Sequence, residues 1–321
     1  MNKNKKELIA ATYKSQDTEE WLDIYFTRPI GFWWAKLFER WNVHPNVVTL
    51  FSIILGFIAG LMFYFTDLWH NILGVLLLMW ANFYDSADGQ LARMTGKKTR
   101  WGRILDGFAG DVWFITIYLA LVFRLWNQPI PYTSVSWGLI ILLLAAFSGV
   151  FCHAHQCQLA DYYRNIHLFF IRGEAHSELD NSEQQEQLLA QTPKRGNFWW
   201  RMFLKQYIKY VKNQERQTPQ FQKLISYIRQ ERKGNVPLPF REKFRLKSLP
   251  LMKYANIITF NCRAITLYVV CLLNVPWLYF IVEIVVFSSI ASYMRYRHEH
   301  MCAALLSKLS QGYFERSGEE E

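Results

Sequence analysis

Residues Leu105–Phe123 read LDGFAGDVWFITIYLALVF, with two aspartates, Asp106 and Asp111, at the mouth of the apolar run Phe108–Phe123. Acids are expensive in such a run, and its length approaches the ~20 residues that a helix needs to cross a bilayer. Working outward, further runs of the same character appear at Val47–Phe65, Ile72–Tyr84, Gly138–Phe151, Ala255–Leu273 and Trp277–Tyr293. Ile72–Tyr84 and Gly138–Phe151 are short alone but reach spanning length with their polar ends. Trp69, Trp80, Trp137 and Trp277 sit at run ends, where amphipathic rings meet the membrane interface. The expectation is an all-α integral membrane protein with six transmembrane helices.

The net charge of +10 invites a nucleic-acid reading, which its distribution argues against. Connectors expected on one side, TDLWHN, RLWNQPIPYTSVSW and LLNVPW, are nearly free of Lys and Arg. The basic residues lie in RMTGKKTRWGR (Arg93–Arg103) and in a long segment after the fourth run. Positive-inside bias therefore places both termini, the 93–103 loop with the acids on either side of it, and the 161–252 segment in the cytoplasm. The N-terminus is polar and is not read as a cleaved signal. Five scattered cysteines without Cys-x2-Cys spacing read as packing residues, with neither a disulfide framework nor a zinc site.

The chain divides into a cytoplasmic N-terminus with an interfacial amphipathic helix (1–43), helices one to four (44–160), a cytoplasmic helical insertion (161–252), helices five and six (253–298) and a cytoplasmic tail (299–321). Thr18–Asn42 reads as two short pieces broken at Pro29–Gly31, the second lying in the interface plane. Pro45 suits the first turn of helix one. In the insertion, Glu174–Glu186 reads as a flexible acidic loop. Lys194–Lys247 carries fifteen Lys/Arg against three Glu, interleaved with aromatics. That pattern fits a helix on anionic headgroups or a small solvated helical subdomain. Glu315–Glu321 reads as a disordered acidic tail.

The chemistry concentrates in DSADGQLARMTGKKTRWGRILDGFAGD, Asp85–Asp111. At about 100° per residue, Asp85 and Asp88 lie about 60° apart on one helix, above a shallow groove at Gly89 and Ala92. Asp106, starting the next helix, can face them. Three converging carboxylates repel one another unless a cation lies between them, and all-oxygen ligands favour Mg2+ or Mn2+. Arg93, Lys97, Lys98, Arg100 and Arg103 form a basic rim suited to phosphate oxygens. The set describes a metal-dependent diphosphate site.

These residues resemble the signature of the CDP-alcohol phosphotransferases, six-helix membrane enzymes of phospholipid synthesis: D-x2-D-G-x2-A-R, about eight residues, then G-x3-D-x3-D. This chain supplies Asp85, Asp88, Gly89, Ala92 and Arg93, then Gly102 and Asp106 at the family spacing. The resemblance implies that Asp85, Asp88 and Asp106, with the last aspartate, bind two Mg2+ or Mn2+ ions holding the diphosphate of a CDP-linked lipid such as CDP-diacylglycerol. It implies that Asp85, Gly89, Ala92, Arg93 and Gly102 receive the nucleotide, with Thr49 nearby. It also implies that the last aspartate deprotonates a small alcohol, possibly phosphorylated, which attacks phosphorus and expels CMP. A homodimer among membrane lipids is implied as well, and no nucleic acid.

One position departs from the pattern. Position 110 is Gly, and the acid follows one residue later at Asp111. An i+4 residue lies about 40° from its reference and an i+5 residue about 140° away. A one-residue π-bulge eased by Gly107 and Gly110 is the expectation, with Asp111 as ligand and base. The alternative leaves that task to water, another side chain or the metals.

Arg263, inside helix five, is a candidate for an acceptor phosphate or for a structural ion pair. Arg164 and Arg103 are further acceptor-side candidates. His153 and His155 point about 160° apart on a helix and are not expected to share a metal. The leading reading is a transferase; a catalytically impaired nucleotide- or lipid-binding relative is the alternative. An intramembrane prenyltransferase lacks support from the D-G-x2-A-R continuation, and a transporter would place its polar groups at the midplane.

Overall fold

The computed structural model describes residue 15, residues 17–97, 99–173 and 177, and residues 179–316. Among them the chain is helical and has no strand beyond an isolated bridge between Pro129 and Ser136. Five stretches are long and apolar enough to cross a membrane: Pro45–Met62, Ile104–Leu125, Gly138–Arg172, Leu238–Leu272 and Trp277–Ser310. The run Ile72–Tyr84 is helical too, inside Leu68–Thr95, but Asn71, Asn82 and Asp85 shorten its apolar part. The chain forms two compact units, Met1–Ala154 with Phe260–Val286, and His155–Thr259 with Phe287–Glu321.

The first unit begins with α1 (Arg28–Arg40), α2 (Pro45–Met62), α3 (Leu68–Thr95) and α4 (Arg100–Leu125). No break occurs at Pro29–Gly31. The chain is helical from Trp21 to Arg40, with a π-helical turn at Asp23–Thr27. Pro29 follows that turn at a first-turn position, where its missing N–H costs little. Gly31 lies so close to α3 that a Cβ would meet Ser86 Oγ at 2.8 Å. Phe32, Ala35 and Phe38 bury one face of α1, while Trp33 and Trp41 are exposed.

Pro45 does open α2, where the His44 ring accepts from the Asn46 N–H. Ser52, Gly56 and Gly60 then repeat at four-residue spacing and are buried, the small-residue seam by which membrane helices approach closely. The Trp113 indole of α4 lies over this seam and donates from Nε1 to the Ser52 carbonyl at 3.1 Å. A Cβ on Gly56 would fall 2.1 Å from the Trp113 ring. Gly56→Val should therefore cost at least about 1–3 kcal/mol by overpacking, read as a lower unfolding temperature in detergent. Adding Trp113→Leu to that variant should recover part of the loss.

The unit continues with α5 (Gly138–Ala146), a π-helical turn (Phe147–His153), α11 (Phe260–Leu272) and α12 (Trp277–Ile281), which runs into a second long π-helical turn (Val282–Phe287). Its apolar core joins Phe63, Leu78, Trp113, Ile117, Leu121, Ile141, Leu267 and Phe280. At the end of α4, the buried Arg124 donates to the Phe63 carbonyl, Asn71 Oδ1 and Asn274 Oδ1 at 2.8–3.0 Å.

The second unit holds α6 (Ala154–Arg172), α7 (Ser182–Gln191), α8 (Phe198–Gln217), α9 (Pro219–Gln230), α10 (Leu238–Ile257), α13 (Ser288–Ser310) and α14 (Tyr313–Arg316). The acidic stretch expected as a loop is partly helix. Asn181 caps α7 by accepting from the Glu183 N–H, and Glu215 of α8 accepts from both Ser182 N–H and Ser182 Oγ. Residues 174–176 and 178 lie outside the described residues, as do residues 317–321 of the acidic tail. Phe170, Phe221, Phe240 and Phe244 make an aromatic core against α9, α10 and α13.

Candidate diphosphate site

The site grows from the last turns of α3 and the first turns of α4. Gly96, in a left-handed conformation (φ 69°), ends α3. Thr99 then caps α4 by accepting from the Gly102 N–H at 2.9 Å. Gly102 lies so near Asn46 at the start of α2 that a Cβ would stand 2.8 Å from its Oδ1. These junctions hold two antiparallel helix ends side by side, and carboxylate oxygens of Asp85, Asp88 and Asp106 lie within 4.8 Å of one another.

Asp88 is buried, Asp85 half-buried and Asp106 exposed. Each carboxylate of α3 has Asp106 as an electrostatic neighbour, and burial adds to the cost of charge on both. Asp88 Oδ2 is shielded from solvent and has no hydrogen-bond partner among the described residues. Arg93 is orphaned in the complementary sense: its buried Nε and Nη2 also have no acceptor among the described residues. Its guanidinium folds back over the helix, so that a Cβ at Gly89 would be 3.4 Å from Nη1. One buried carboxylate oxygen and two guanidinium nitrogens without hydrogen-bond partners among the described residues, set at a three-acid cluster, are a donor set that divalent metal and diphosphate would complete together.

Thr49 is buried beside Asp88, and its Oγ1 donates to the Pro45 carbonyl at 3.2 Å. Ala92 is half-buried one turn beyond Asp88. Of the basic rim, Lys97 donates to Asn42 Oδ1 at 3.1 Å. Lys98 and the side chains of Arg100 and Arg103 lie outside the described residues.

The expected bulge is absent. α4 is α-helical from Arg100 to Leu125, and the π-helical turns of the chain lie elsewhere. A regular helix leaves Asp111 about 140° round from Asp106, and the three acids brought together are Asp85, Asp88 and Asp106. Gly107 and Gly110 permit a bulge, but α4 packs along α2 through Trp113 and Thr116, and that seam keeps the helix in register.

Arg263 is fully buried, and its Nη1 is ion-paired with Glu283, itself fully buried in the Val282–Phe287 turn. Glu283 also accepts from Tyr118 Oη and, at 2.6 Å, from Ser148 Oγ, while His153 Nδ1 stands 3.0 Å from its other oxygen. The guanidinium is thus committed to a polar knot joining α4, α11 and the π-helical turns Phe147–His153 and Val282–Phe287. Arg164 belongs to the second unit, where it donates to Asn256 Oδ1.

Sequence reasoning passed over Arg28 and Gln90. Arg28 of α1 pairs with Glu19 at 3.0 Å and is an electrostatic neighbour of both Asp85 and Arg93. Gln90 ties α1 to the motif helix by donating to the Arg28 carbonyl at 3.1 Å. No spacing rule reveals them, because α1 reaches the site only through packing.

Residues 42–163 match the CDP-alcohol phosphatidyltransferase family model. The matched segment contains Thr49, Asp85, Asp88, Gly89, Ala92, Arg93, Gly102, Asp106 and Asp111. Over 72 residues (22% of this chain, 35% of the relative) the chain is 44% identical to an uncharacterized protein of Aquifex aeolicus. Over 102 residues (31% and 53%) it is 32% identical to a CDP-diacylglycerol–glycerol-3-phosphate 3-phosphatidyltransferase of Blochmanniella floridana. Over 72 residues (22% and 37%) it is 36% identical to an archaetidylinositol phosphate synthase of Pyrococcus horikoshii. The chain thus spans from about a third to about a half of the length of these relatives. No solved structure matches it.

Proposed function

We propose that the chain transfers a phosphatidyl or other phospho-alcohol group from a CDP-linked lipid to an alcohol, releasing CMP, in phospholipid synthesis. The observation that carries this reading is the juxtaposition, at the three-acid cluster, of Asp88 Oδ2 with Arg93 Nε and Nη2, none of which has a hydrogen-bond partner among the described residues. Asp85, Asp88 and Asp106 would hold two Mg2+ or Mn2+ ions, which neutralise charge on the transferring phosphoryl group and on the departing CMP. Arg93 donates to diphosphate oxygens, and the groove at Gly89 and Ala92 admits the nucleotide. Gly102 keeps Asp106 aimed at its partners by letting α4 close on Asn46.

The relatives named above suggest a phosphorylated acceptor, glycerol 3-phosphate in one case, and Arg103 is the cation we assign to such a phosphate. Arg263, spent on Glu283, is assigned to holding helices. The Leu68–Thr95 helix serves as the sixth span, with the acids and both termini on the cytoplasmic side, as the Lys/Arg bias supports. The enzyme is read as a homodimer. Incubation with CDP-diacylglycerol, Mg2+ and a panel of alcohols should release CMP with at least one of them. No CMP with any acceptor, together with stabilisation by CDP, would instead support a catalytically impaired binding protein, the reading favoured by Gly110.

Asp111 accepts the acceptor's proton through a water in this scheme, because its helix face is turned from Asp106. Asp111→Asn should then lower kcat by about 10–100-fold, at the weak end of general-base effects. An unchanged kcat would remove Asp111 from the proton path.

A further inference from the structure

The second unit holds a buried polar cluster with unpaired oxygens. His298, Glu299 and Cys302 of α13 each present a ligand atom, all within 4.8 Å of one another. His298 and Cys302 are one turn apart on the same face, with Cys302 Sγ 3.6 Å from His298 Nδ1, and both are buried. The walls are aromatic: the Tyr163 ring of α6 stacks on the imidazole at 4.1 Å, with Phe221 and Phe244 edge-on beyond it.

Two oxygens at this cluster, Glu299 Oε1 and Tyr163 Oη, are shielded from solvent and have no hydrogen-bond partner among the described residues; Glu299 Oε1 stands 3.9 Å from His298 Nδ1. Tyr163 is fully buried, and Glu299 and Cys302 are its first electrostatic neighbours. The other Glu299 oxygen accepts from the Gln220 N–H at the start of α9. Native interiors leave few such groups unpaired, and each asks for a missing water or ion. A nitrogen, a thiol and a carboxylate together discriminate further. They suit the borderline-soft Zn2+ and disfavour Mg2+ or Mn2+, which prefer oxygen throughout.

We propose that His298, Glu299 and Cys302 bind one structural Zn2+, with the Tyr163 hydroxyl or a water as fourth ligand. Ligand atoms around tetrahedral zinc stand about 3.6 Å apart, so closure asks the side chains to draw in by about 1 Å. Binding converts the Cys302 thiol to the thiolate and releases its proton to solvent. The ion would join α13 to α6 through Tyr163 and to α9 through the Glu299–Gln220 contact. Cysteine spacing conceals the site, since its ligands follow His-Glu-x2-Cys on one helix.

The test uses full-length protein in detergent, carrying no His tag and grown with zinc. Mass-spectrometric metal analysis should find about one Zn2+ per chain, and Cys302→Ser should lose it. Co2+ exchanged into the protein should give a thiolate-to-metal absorption band that survives Asp88→Asn and vanishes in Cys302→Ser. Below about 0.1 zinc per chain, with no Co2+ band in the unsubstituted protein, the site is refuted, and a buried water occupies the cluster. Zinc that stays in Cys302→Ser but leaves in Asp88→Asn would place the ion at the carboxylate cluster and equally refute the proposal. The unsubstituted protein decides the question even if Cys302→Ser fails to fold.

Discussion

Asp88→Asn should lower kcat for CMP release by about 10³-fold or more at saturating Mg2+, the largest loss expected of any substitution at the cluster. Asp88 is its most buried acid, and its Oδ2 has no hydrogen-bond partner among the described residues, which leaves that oxygen open to a cation. Asparagine keeps the shape and one acceptor while removing the charge. The same substitution should affect stability in the opposite direction. In EDTA, three carboxylates within 4.8 Å repel one another, so removing one should leave the unfolding temperature unchanged or higher. With Mg2+ present, the unsubstituted protein should regain the advantage, because a ligand that binds only the native state stabilises it. Equal activity would detach Asp88 from the chemistry. Lower stability in EDTA would show that its carboxylate has a hydrogen-bonding role.

Glu283→Ala should be the most destabilising change in the first unit, by about 3–5 kcal/mol. The substitution strands the fully buried Arg263 guanidinium and removes the acceptor shared by Tyr118, Ser148 and His153. A lone charge in low dielectric costs far more than the pair it came from. Arg263→Met with Glu283→Met should therefore be markedly more stable than Glu283→Ala, since no charge is left unpaired. Thermal unfolding in detergent reads both. If the double variant were no better than the single one, the knot would be held by packing and not by charge.

The apolar runs were legible because a bilayer demands length: Phe108–Phe123 lies within the span Ile104–Leu125, and Val47–Phe65 overruns Pro45–Met62 by three residues. The three acids were legible because their spacing is local to two helices joined by a short loop. The bulge expected before Asp111 is missing for a physical reason. Flanking glycines show that a helix can bulge, but whether it does depends on the far side, where Trp113 locks onto Gly56 and Ser52. Glu283 left a signal that went unread: a single acid in an apolar run asks for a buried partner, and Arg263 in another run asks for the same. The joint helical course of Trp21–Arg40 was hidden by Pro29, which breaks a helix interior but sits readily just after a π-helical turn.

The family match begins at residue 42, immediately after α1. A truncation drawn at that boundary would keep every motif residue and still dismantle the surroundings of Asp85 and Arg93. Arg28 would be gone from their field, Gln90 would lose its acceptor, and the α3 face under Gly31 would be bared. The structural boundary of the three-acid site therefore lies at or before Glu19, where the partner of Arg28 stands.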